Sequence, residues 1–293
     1  MIVIGSSMGG VEALRKIVSG MPLDLPAAIL IVNHMWPYHR SQLPAILSSA
    51  GGLPACHPMQ GEQIRNGRIY VAPPDHHMMV MDGHLLITQG PRENWSRPAI
   101  DPLFRSAAFV GRTKVVGVIL TGLLSDGSSG LWAIKNFGGV TIVQDPKTAM
   151  CPSMPQSALD KVGVDHCVPL SEIGPRLVQL ANDPIAICST PVTSKIEIEN
   201  RIAAGQPWDQ SDLEKLGVPS NVKCLDCGAA TYEIREDRIV RYRCLFGHGF
   251  GAELLSRILP DMSELILSQP SCYSPRNRTA SHTNPGITKH LRT

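Results

Sequence analysis

Residues 5–10, with the sequence GSSMGG, restrict the possible folds of this chain more than any other stretch. A short apolar run at residues 2–4 precedes them, and apolar residues at helical spacing follow. A strand, a glycine-rich turn and a helix place the turn at a helix N-terminus, where unpaired backbone N–H groups face outward. Two alternatives are open at this point. The turn cradles a phosphate, or Ser7 is a nucleophile on a sharp elbow within a G-x-S-x-G pattern.

Apolar runs and amphipathic segments alternate from residue 1 to about residue 180. Continuous apolar runs are typical of parallel strands that are buried on both faces. Alternating strands and helices predict an α/β fold with a mostly parallel, doubly wound sheet. The predicted strands are residues 2–4, 28–32, 115–120 and 140–143, and the predicted helices are residues 10–19, 41–49, 101–110 and 127–137.

Residues 58–90 do not follow this alternation, and we interpret them as an insertion into the parallel core. Asp82-Gly83 stands between two apolar runs, which is a strong signal for a type I′ β-hairpin. Residues 69–71 are predicted to form a short strand of the same insertion, ended by two prolines. The predicted fold is therefore a parallel sheet that carries a hairpin insertion.

The composition of the chain changes near residue 182. We expect a catalytic domain over residues 1–182, a linker over 183–220, a small cysteine-rich unit over 221–266 and a disordered tail over 267–293. The tail is rich in Ser, Pro, Asn, Arg and Thr and has few apolar residues, so it cannot bury a core.

The charge and the apolar content exclude several functional classes. The formal net charge is +2, which provides no strong attraction to nucleic acid or anionic membrane. No apolar run approaches the roughly 20 residues that span a bilayer. The N-terminus has no basic segment before its apolar run, so we expect no signal peptide and a cytoplasmic protein.

Polar side chains with complementary chemistry follow three of the predicted strands. Ser7 follows the first strand, His34 follows the second, and Asp126 comes within one turn of the third. Sites in parallel α/β sheets form outside the carboxyl ends of the strands. A hydroxyl, an imidazole and a carboxylate at neighbouring strand ends predict a nucleophile, its general base and the group that orients the base.

The helix N-terminus after Ser7 also predicts an oxyanion hole. The backbone N–H of Met8 follows the nucleophile directly and points towards the developing negative charge. A second donor is expected from another loop at the strand ends, and the backbone of Leu123 is the candidate.

Each of these residues also has a simpler interpretation. A serine in such a turn is often only a helix cap, a lone histidine is often structural, and Asp126-Gly127 alone is often a turn. A dinucleotide site is disfavoured because the full G-x-G-x-x-G spacing is absent. The chain order Ser, His, Asp also differs from that of the α/β-hydrolases. The coincidence of three residues at one sheet edge favours catalysis.

Five motifs in order resemble the catalytic domain of chemotaxis protein-glutamate methylesterases of the CheB type. They are residues 4–10, 32–35, 97–108, 120–127 and 144–149. The resemblance implies hydrolysis of glutamyl methyl esters on the cytoplasmic helices of chemoreceptors, and often deamidation of receptor glutamines. It places the family's triad on Ser7, His34 and Asp126 and its oxyanion donors on the backbones of Met8 and Leu123. It implies no cofactor for catalysis.

The chain departs from the family pattern in three respects. Ser6-Ser7-Met8 replaces the commoner Ala-Ser-Thr or Ala-Ser-Ala. Leu124 replaces a more usual glycine before the catalytic aspartate, so the freedom of a positive φ is lost there. Many such enzymes also carry an N-terminal receiver domain, whereas here the matching segment begins at residue 1. We therefore expect a separate response-regulator partner. Three arginines could help to hold an acidic receptor surface, but we favour their interpretation as solvated surface charges: Arg97, Arg105 and Arg112.

The cysteine-rich unit has the spacing of a metal site. Cys224-x-x-Cys227 is followed after sixteen residues by Cys244-x-x-x-His248, and alternating segments between them predict a hairpin. Two ligand pairs bridged by a hairpin are typical of a zinc ribbon with Cys₃His ligation. Four protein ligands leave no open position, so the predicted zinc is structural. The alternative is a set of free thiols. We expect a protein contact or a simple structural role for this unit, since its few arginines do not indicate nucleic-acid binding.

Two functions from different classes follow. The favoured function is a serine hydrolase that demethylates glutamyl esters of chemoreceptor-type proteins. The alternative is a catalytically idle α/β scaffold that binds a phosphorylated ligand or partner at the same turn and uses the zinc ribbon as an adaptor.

Overall fold

The computed structural model describes residues 1–38, 40–183 and 194–258. The strands are β1 Ile2–Ser6, β2 Ile29–Asn33, β3 Ala55–Cys56, β4 Glu62–Gln63, β5 Ile69–Val71, β6 His77–Met81, β7 His84–Thr88, β8 Val116–Ile119, β9 Val140–Gln144, β10 His166–Val168, β11 Val218–Lys223, β12 Ala230–Glu236, β13 Ile239–Cys244 and β14 Gly249–Gly251. The helices are α1 Gly10–Val18, α2 Leu43–Ala50, α3 Ile100–Gly111, α4 Ser128–Asn136, α5 Ser153–Lys161, α6 Leu170–Asn182, α7 Ser194–Ala203, α8 Gln210–Leu216 and α9 Ala252–Ile258, with 3-10 turns at Arg112–Lys114 and Pro146–Thr148.

Seven parallel strands form the central sheet, in the spatial order β10-β9-β8-β1-β2-β5-β3. Every residue of β1, β2 and β8 is buried, because one apolar cluster covers each face of the sheet. Helices α3 and α4 contribute to one cluster, and α1 and α6 contribute to the other. The predicted α/β fold with a mostly parallel sheet is confirmed.

The strand order reverses direction at β1. The chain continues from β1 to β2 on one side of it and returns to β8 on the other. Open α/β sheets form their sites in the crevice at such a switch point, outside the carboxyl ends of the strands. The loops after β1, β2 and β8 therefore meet at one place.

The predicted hairpin is present as β6 and β7, joined by Asp82 and Gly83 at φ angles of 48° and 77°. Positive φ at both central residues is the geometry of a type I′ turn. Strand β5, by contrast, was expected in the insertion but pairs in parallel with β2 in the central sheet. All three residues of β5 are buried, which explains why a short apolar run serves as a core strand.

The segment predicted as a linker, residues 183–220, differs from that expectation in its described part. It contains α7 and α8, and the four-stranded antiparallel sheet β11-β12-β13-β14 already begins at Val218. Ile196, Glu199 and Ile202 of α7 are buried, so this helix packs as part of the fold. The predicted disordered tail, residues 267–293, lies outside the described residues.

Within the described ranges, the structure contains no helix that is long and apolar enough to cross a membrane.

Candidate active site

Ser7 stands at the point where β1 ends and the turn into α1 begins. Its backbone N–H donates to the Thr121 carbonyl at 3.0 Å, which joins the turn to the loop after β8. Gly9 caps α1 at a φ of 78°, a conformation that glycine adopts without steric cost. The neighbouring Ser6 side chain is buried and donates to Asn33 Oδ1 at 2.9 Å. Ser7, which is partly exposed, is thus the serine that faces the crevice.

The His34 imidazole lies between Ser7 and Asp126. Its Nδ1 is 3.3 Å from Ser7 Oγ, and its Nε2 is 2.7 Å from Asp126 Oδ2. With the proton on Nε2 donated to the carboxylate, the Nδ1 lone pair faces the serine hydroxyl. A hydroxyl that must lose a proton, a base and an orienting carboxylate are arranged in one line. The structure therefore brings together the three side chains predicted from the strand ends.

Asp126 is held as a carboxylate by donors from several directions. It accepts from His34, from the backbone N–H of Ile100 at 2.7 Å and from Asn94 Nδ2 at 2.9 Å. Although burial opposes the charge, these hydrogen bonds lower the pKa of Asp126 to about 2. The carboxylate therefore stays ionised wherever an imidazole base is neutral.

A second buried carboxyl, Asp101, lies beside Asp126 at the start of α3. Burial, together with the neighbouring negative charge of Asp126, raises the pKa of Asp101 to about 8. Asn94 Nδ2 also donates to Asp101 Oδ2 at 3.2 Å, and the Gly130 N–H donates to Asp101 Oδ1 at 2.7 Å. At neutral pH, the ionised carboxylate of Asp126 and the protonated carboxyl group of Asp101 thus lie side by side in the site.

The two predicted oxyanion donors differ in hydrogen bonding from the amides beside them. The amides beside them have partners: Ser7 N–H donates to Thr121, Gly122 N–H donates to Cys151, and Leu124 N–H donates to Ser153 Oγ. Among the residues that the structure describes, the N–H groups of Met8 and Leu123 make no hydrogen bond. The loops after β1 and β8 thus each offer one amide that is available to a bound group.

Leu124, which stands where the family pattern usually has glycine, adopts a left-handed backbone conformation that is costly for any other residue. Its φ is 67°, in the left-handed region. A residue with a Cβ costs roughly 1–2 kcal/mol there. The Leu124 side chain packs against an apolar cluster of the C-terminal sheet and α9 that includes Tyr242, Phe250 and Leu254, and burial of this side chain acts against the cost of the strain.

We expect Leu124→Gly to be more stable than Leu124→Ala by about 1 kcal/mol, although both lose the packing contact. The usual order at an unstrained position is the reverse, because glycine increases the entropy of the unfolded chain. Urea unfolding of the two variants measures the difference in the free energy of unfolding. Equal stability, or a more stable alanine variant, contradicts the strain at this position.

An open groove of about 450 Å³ begins at His34 and carries aromatic side chains that the sequence patterns did not reveal. Trp36 is 74% exposed and Trp95 is 45% exposed, and both line the groove. These aromatic residues lie in irregular loops, where no periodicity marks them. The groove thus offers aromatic contact surface next to His34, together with the charged side chains of Asp75, Arg92 and Arg97.

Two of the arginines that were predicted to be solvated surface charges, Arg97 and Arg105, lie instead in ion pairs. Arg105 is completely buried, and its Nη2 donates to both carboxylate oxygens of Glu93, at 2.6 and 2.8 Å. The prediction that Arg105 is a solvated surface charge is therefore wrong. Arg97 is largely buried and pairs with Asp75 at 2.8 Å. Arg105 is therefore a core residue, which no apolar pattern in the sequence indicates.

Cys224, Cys227, Cys244 and His248 converge at one end of the C-terminal sheet, with their ligand atoms all within 4.8 Å of one another. The Cys227 and Cys244 sulfur atoms are 3.8 Å apart, and His248 Nδ1 is 3.6 Å from Cys244 Sγ. A tetrahedral zinc ion with Zn–S bonds of about 2.3 Å requires sulfur atoms about 3.8 Å apart. The donor set and its spacing thus fit zinc.

Comparison with known proteins gives matches to one family. The family model described as CheB methylesterase matches residues 2–177. A Leptospira interrogans protein named "Putative protein-glutamate methylesterase/protein-glutamine glutaminase" is 38% identical over 180 residues, which cover 61% of this chain and 93% of that protein. A Caulobacter vibrioides protein named "Protein-glutamate methylesterase/protein-glutamine glutaminase 2" is 37% identical over 185 residues, which cover 61% of this chain but only 53% of that protein.

A solved structure also matches. The Thermotoga maritima CheB methylesterase catalytic domain has a TM-score of 0.59 and 33% sequence identity, covering 61% of this chain and 97% of that one. The similarity extends over the parallel sheet, whereas the C-terminal sheet and its cysteine cluster lie outside the region that the family model matches.

Proposed function

The chain belongs to the CheB methylesterase family of carboxylic ester hydrolases, and we propose that it demethylates glutamyl methyl esters of chemoreceptor-type proteins through Ser7, His34 and Asp126. The observation that carries this proposal is the line of hydrogen bonds from Ser7 Oγ to His34 Nδ1 at 3.3 Å and from His34 Nε2 to Asp126 at 2.7 Å. An idle scaffold has no need for this arrangement.

The reaction follows from the placement of these groups. Ser7 Oγ attacks the ester carbonyl carbon while His34 Nδ1 takes the hydroxyl proton. The carbonyl oxygen becomes an oxyanion, to which the N–H groups of Met8 and Leu123 donate. Asp126 stabilises the imidazolium that forms. The tetrahedral intermediate collapses, the C–O bond to the methoxy group breaks, and methanol leaves with the proton from His34.

A water molecule then completes the cycle. His34 takes a proton from the water as it attacks the acyl carbon, and the bond to Ser7 Oγ breaks as the proton returns to the serine. The products are a glutamate carboxyl group and methanol. Deamidation of a glutamine follows the same steps with ammonia in place of methanol, in agreement with the paired names of the relatives.

The test is methanol release from a methylated receptor fragment, measured by gas chromatography with the full chain as enzyme. We expect about one molecule of methanol for each ester group hydrolysed, and a matching loss of methyl label from the fragment. Absence of release from this fragment and from several small methyl esters overturns the proposal and favours the idle scaffold.

We also propose that Cys224, Cys227, Cys244 and His248 hold one structural zinc ion, because their donor atoms have tetrahedral spacing. Glycines support this arrangement at two tight turns. The Gly228 N–H donates to the Cys224 carbonyl and the Gly247 N–H donates to the Cys244 carbonyl, with φ angles of 72° and 86°. When bound, zinc would join the two turns and stabilise the small sheet, since metal binding and folding are coupled in such units.

Purified protein is expected to contain about one equivalent of zinc by atomic emission. Cys227→Ser should reduce the zinc content to well below one equivalent under mild chelation, because one thiolate ligand is lost. Cys167→Ser is the matched control, since Cys167 is an exposed cysteine of β10 outside the cluster. Equal zinc retention in the two variants, or a metal-free wild type with a folded C-terminal sheet, contradicts the assignment.

A further inference from the structure

The C-terminal sheet contacts the candidate active site at a short loop, residues 92–97. Gly249 of β14 donates its N–H to the Arg92 carbonyl at 3.1 Å and accepts from the Asn94 N–H at 2.8 Å. These two backbone hydrogen bonds attach β14 to the loop as a short parallel pairing. The strand therefore determines the position of Asn94.

The oxygen and the nitrogen of the Asn94 side-chain amide form hydrogen bonds on opposite sides of this junction. Its Oδ1 accepts from the Gly251 N–H of β14 at 2.9 Å, and its Nδ2 donates to Asp126 Oδ1 at 2.9 Å. Asn94 has a φ of 50°, a left-handed conformation that asparagine tolerates better than most residues. One side chain thus bridges the C-terminal sheet and the carboxylate that orients His34.

A buried cluster of charges fixes the same junction. Arg243 of β13 contacts Glu93 at 3.0 Å and Glu199 at 2.9 Å, and Arg105 of α3 pairs with Glu93. Arg241 binds Glu199 as well. Buried carboxylates and guanidinium groups of this kind remain charged only while their partners are in place. The residue next to Asn94 is therefore held by the C-terminal sheet.

Two further contacts reach the loop that carries the predicted oxyanion donor. Leu124 packs against the apolar cluster of the C-terminal sheet, and Ser125 Oγ donates to Glu253 of α9 at 3.0 Å. Both residues lie directly between Leu123 and Asp126 in the sequence. The C-terminal unit thus supports Asp126 from Asn94 on one side and from its own loop on the other.

The cysteine and histidine cluster encloses the turn that makes these contacts. Cys244 is the last residue of β13 and directly follows Arg243, whereas His248 directly precedes Gly249. The Cys244 N–H donates to the His248 carbonyl at 2.9 Å, which closes the turn. A metal ion held by both residues would fix the distance between the Arg243 and Gly249 contacts.

We propose that Asn94 is a positioning residue through which the metal-bound C-terminal unit holds Asp126 in its catalytic orientation. This inference rests on the proposed esterase function. It makes the activity of this chain depend on a metal site that takes no part in the chemistry. Asn94 is the residue of this junction that bonds directly to the Asp126 carboxylate, so that metal loss and loss of the amide act on the same step.

The test compares four forms of the full chain in the methanol-release assay: wild type and Asn94→Gly, each with and without metal. Glycine adopts the positive φ without steric cost and removes the side-chain amide together with its CH₂ group. We expect kcat of Asn94→Gly to fall about 10- to 100-fold with little change in KM, because a hydrogen bond to a charged group is lost. Chelation should lower kcat of wild type by a similar factor. In Asn94→Gly, kcat with and without metal should differ by less than about twofold.

Asp82→Gly is the matched control for the backbone change. Asp82 has a φ of 48° in the β6–β7 turn, so it undergoes the same replacement at a position remote from the active site. Its kcat should equal that of wild type, and chelation should lower it as in wild type. Fully multiplicative effects of chelation and Asn94→Gly, or an unchanged kcat in Asn94→Gly, overturn the proposal.

A second readout does not depend on turnover. In wild type, the proton that His34 Nε2 donates to Asp126 should give a downfield proton resonance in the NMR spectrum, assigned by its loss in His34→Gln. We expect this resonance to shift or broaden in Asn94→Gly and on chelation. An unchanged resonance in both overturns the positioning role. Failure of the esterase function is a different result, namely no methanol release from metal-bound wild type.

Discussion

Ser7→Ala is expected to lower kcat for methanol release by about 10⁶-fold, the loss seen when the nucleophile of a serine hydrolase is removed. The variant retains the amides of Met8 and Leu123, so it still polarises a bound ester carbonyl but has no hydroxyl to form the acyl-enzyme. KM should change little, because the groove that begins at His34 and includes Trp36 and Trp95 is lined by other residues than Ser7. Steady-state methanol release at saturating ester measures both constants.

Ser6→Ala is the matched control for this experiment. Ser6 precedes the nucleophile, is completely buried and donates to Asn33 Oδ1 rather than to His34. We expect it to lose about 1 kcal/mol of stability, typical of one hydrogen bond, and to keep activity within about tenfold of wild type. If Ser6→Ala loses as much activity as Ser7→Ala, Ser7 is not the nucleophile.

Asp126→Asn is expected to lower kcat by about 10⁴-fold while the fold persists. Asp126 accepts hydrogen bonds from His34, Asn94 and the Ile100 N–H, and an amide has only one oxygen to accept them. If the new NH₂ group faces His34, it donates to Nε2 and leaves the ring proton on Nδ1. The imidazole then cannot accept the proton of Ser7.

Asp101→Asn separates this effect from a general loss of negative charge. Asp101 is the neighbouring buried carboxyl, whose pKa is raised to about 8, so at pH 7 it is mostly protonated and uncharged. We expect its replacement by the neutral amide to lower kcat by less than about tenfold. The measurement is the steady-state kcat of both variants at pH 7. Equal losses of kcat in Asp126→Asn and Asp101→Asn contradict the assigned role of Asp126.

The sequence predicted the candidate site because its residues follow regular elements. Ser7, His34 and Asp126 each come shortly after an apolar strand, and the carboxyl ends of parallel strands meet at one edge of a sheet. The left-handed conformation of Leu124 was also foreseeable, because a glycine is usual at that place in the family pattern. Regular elements with known geometry made these positions predictable.

The contacts between the two sheets were not predictable in the same way. Asn94 lies in an irregular loop at positive φ, where no periodicity indicates its direction. Glu199, Arg241 and Arg243 have the composition of a solvated surface, yet they are buried together because opposite charges compensate one another. Burial of charged residues depends on which distant partners meet, and a single sequence does not contain that information. The supposed linker therefore proved to contain a packed helix in its described part.

The central claim, that Ser7 forms an acyl-enzyme with a glutamyl ester, is tested most directly by rapid-quench mass spectrometry. Full-length protein is mixed with a peptide bearing one glutamyl methyl ester, quenched in acid within milliseconds and digested. We expect a transient adduct with the mass of the peptide ester minus methanol, located on Ser7 and absent from Ser7→Ala. Methanol release without any covalent adduct, or an adduct on another residue, would contradict the central claim.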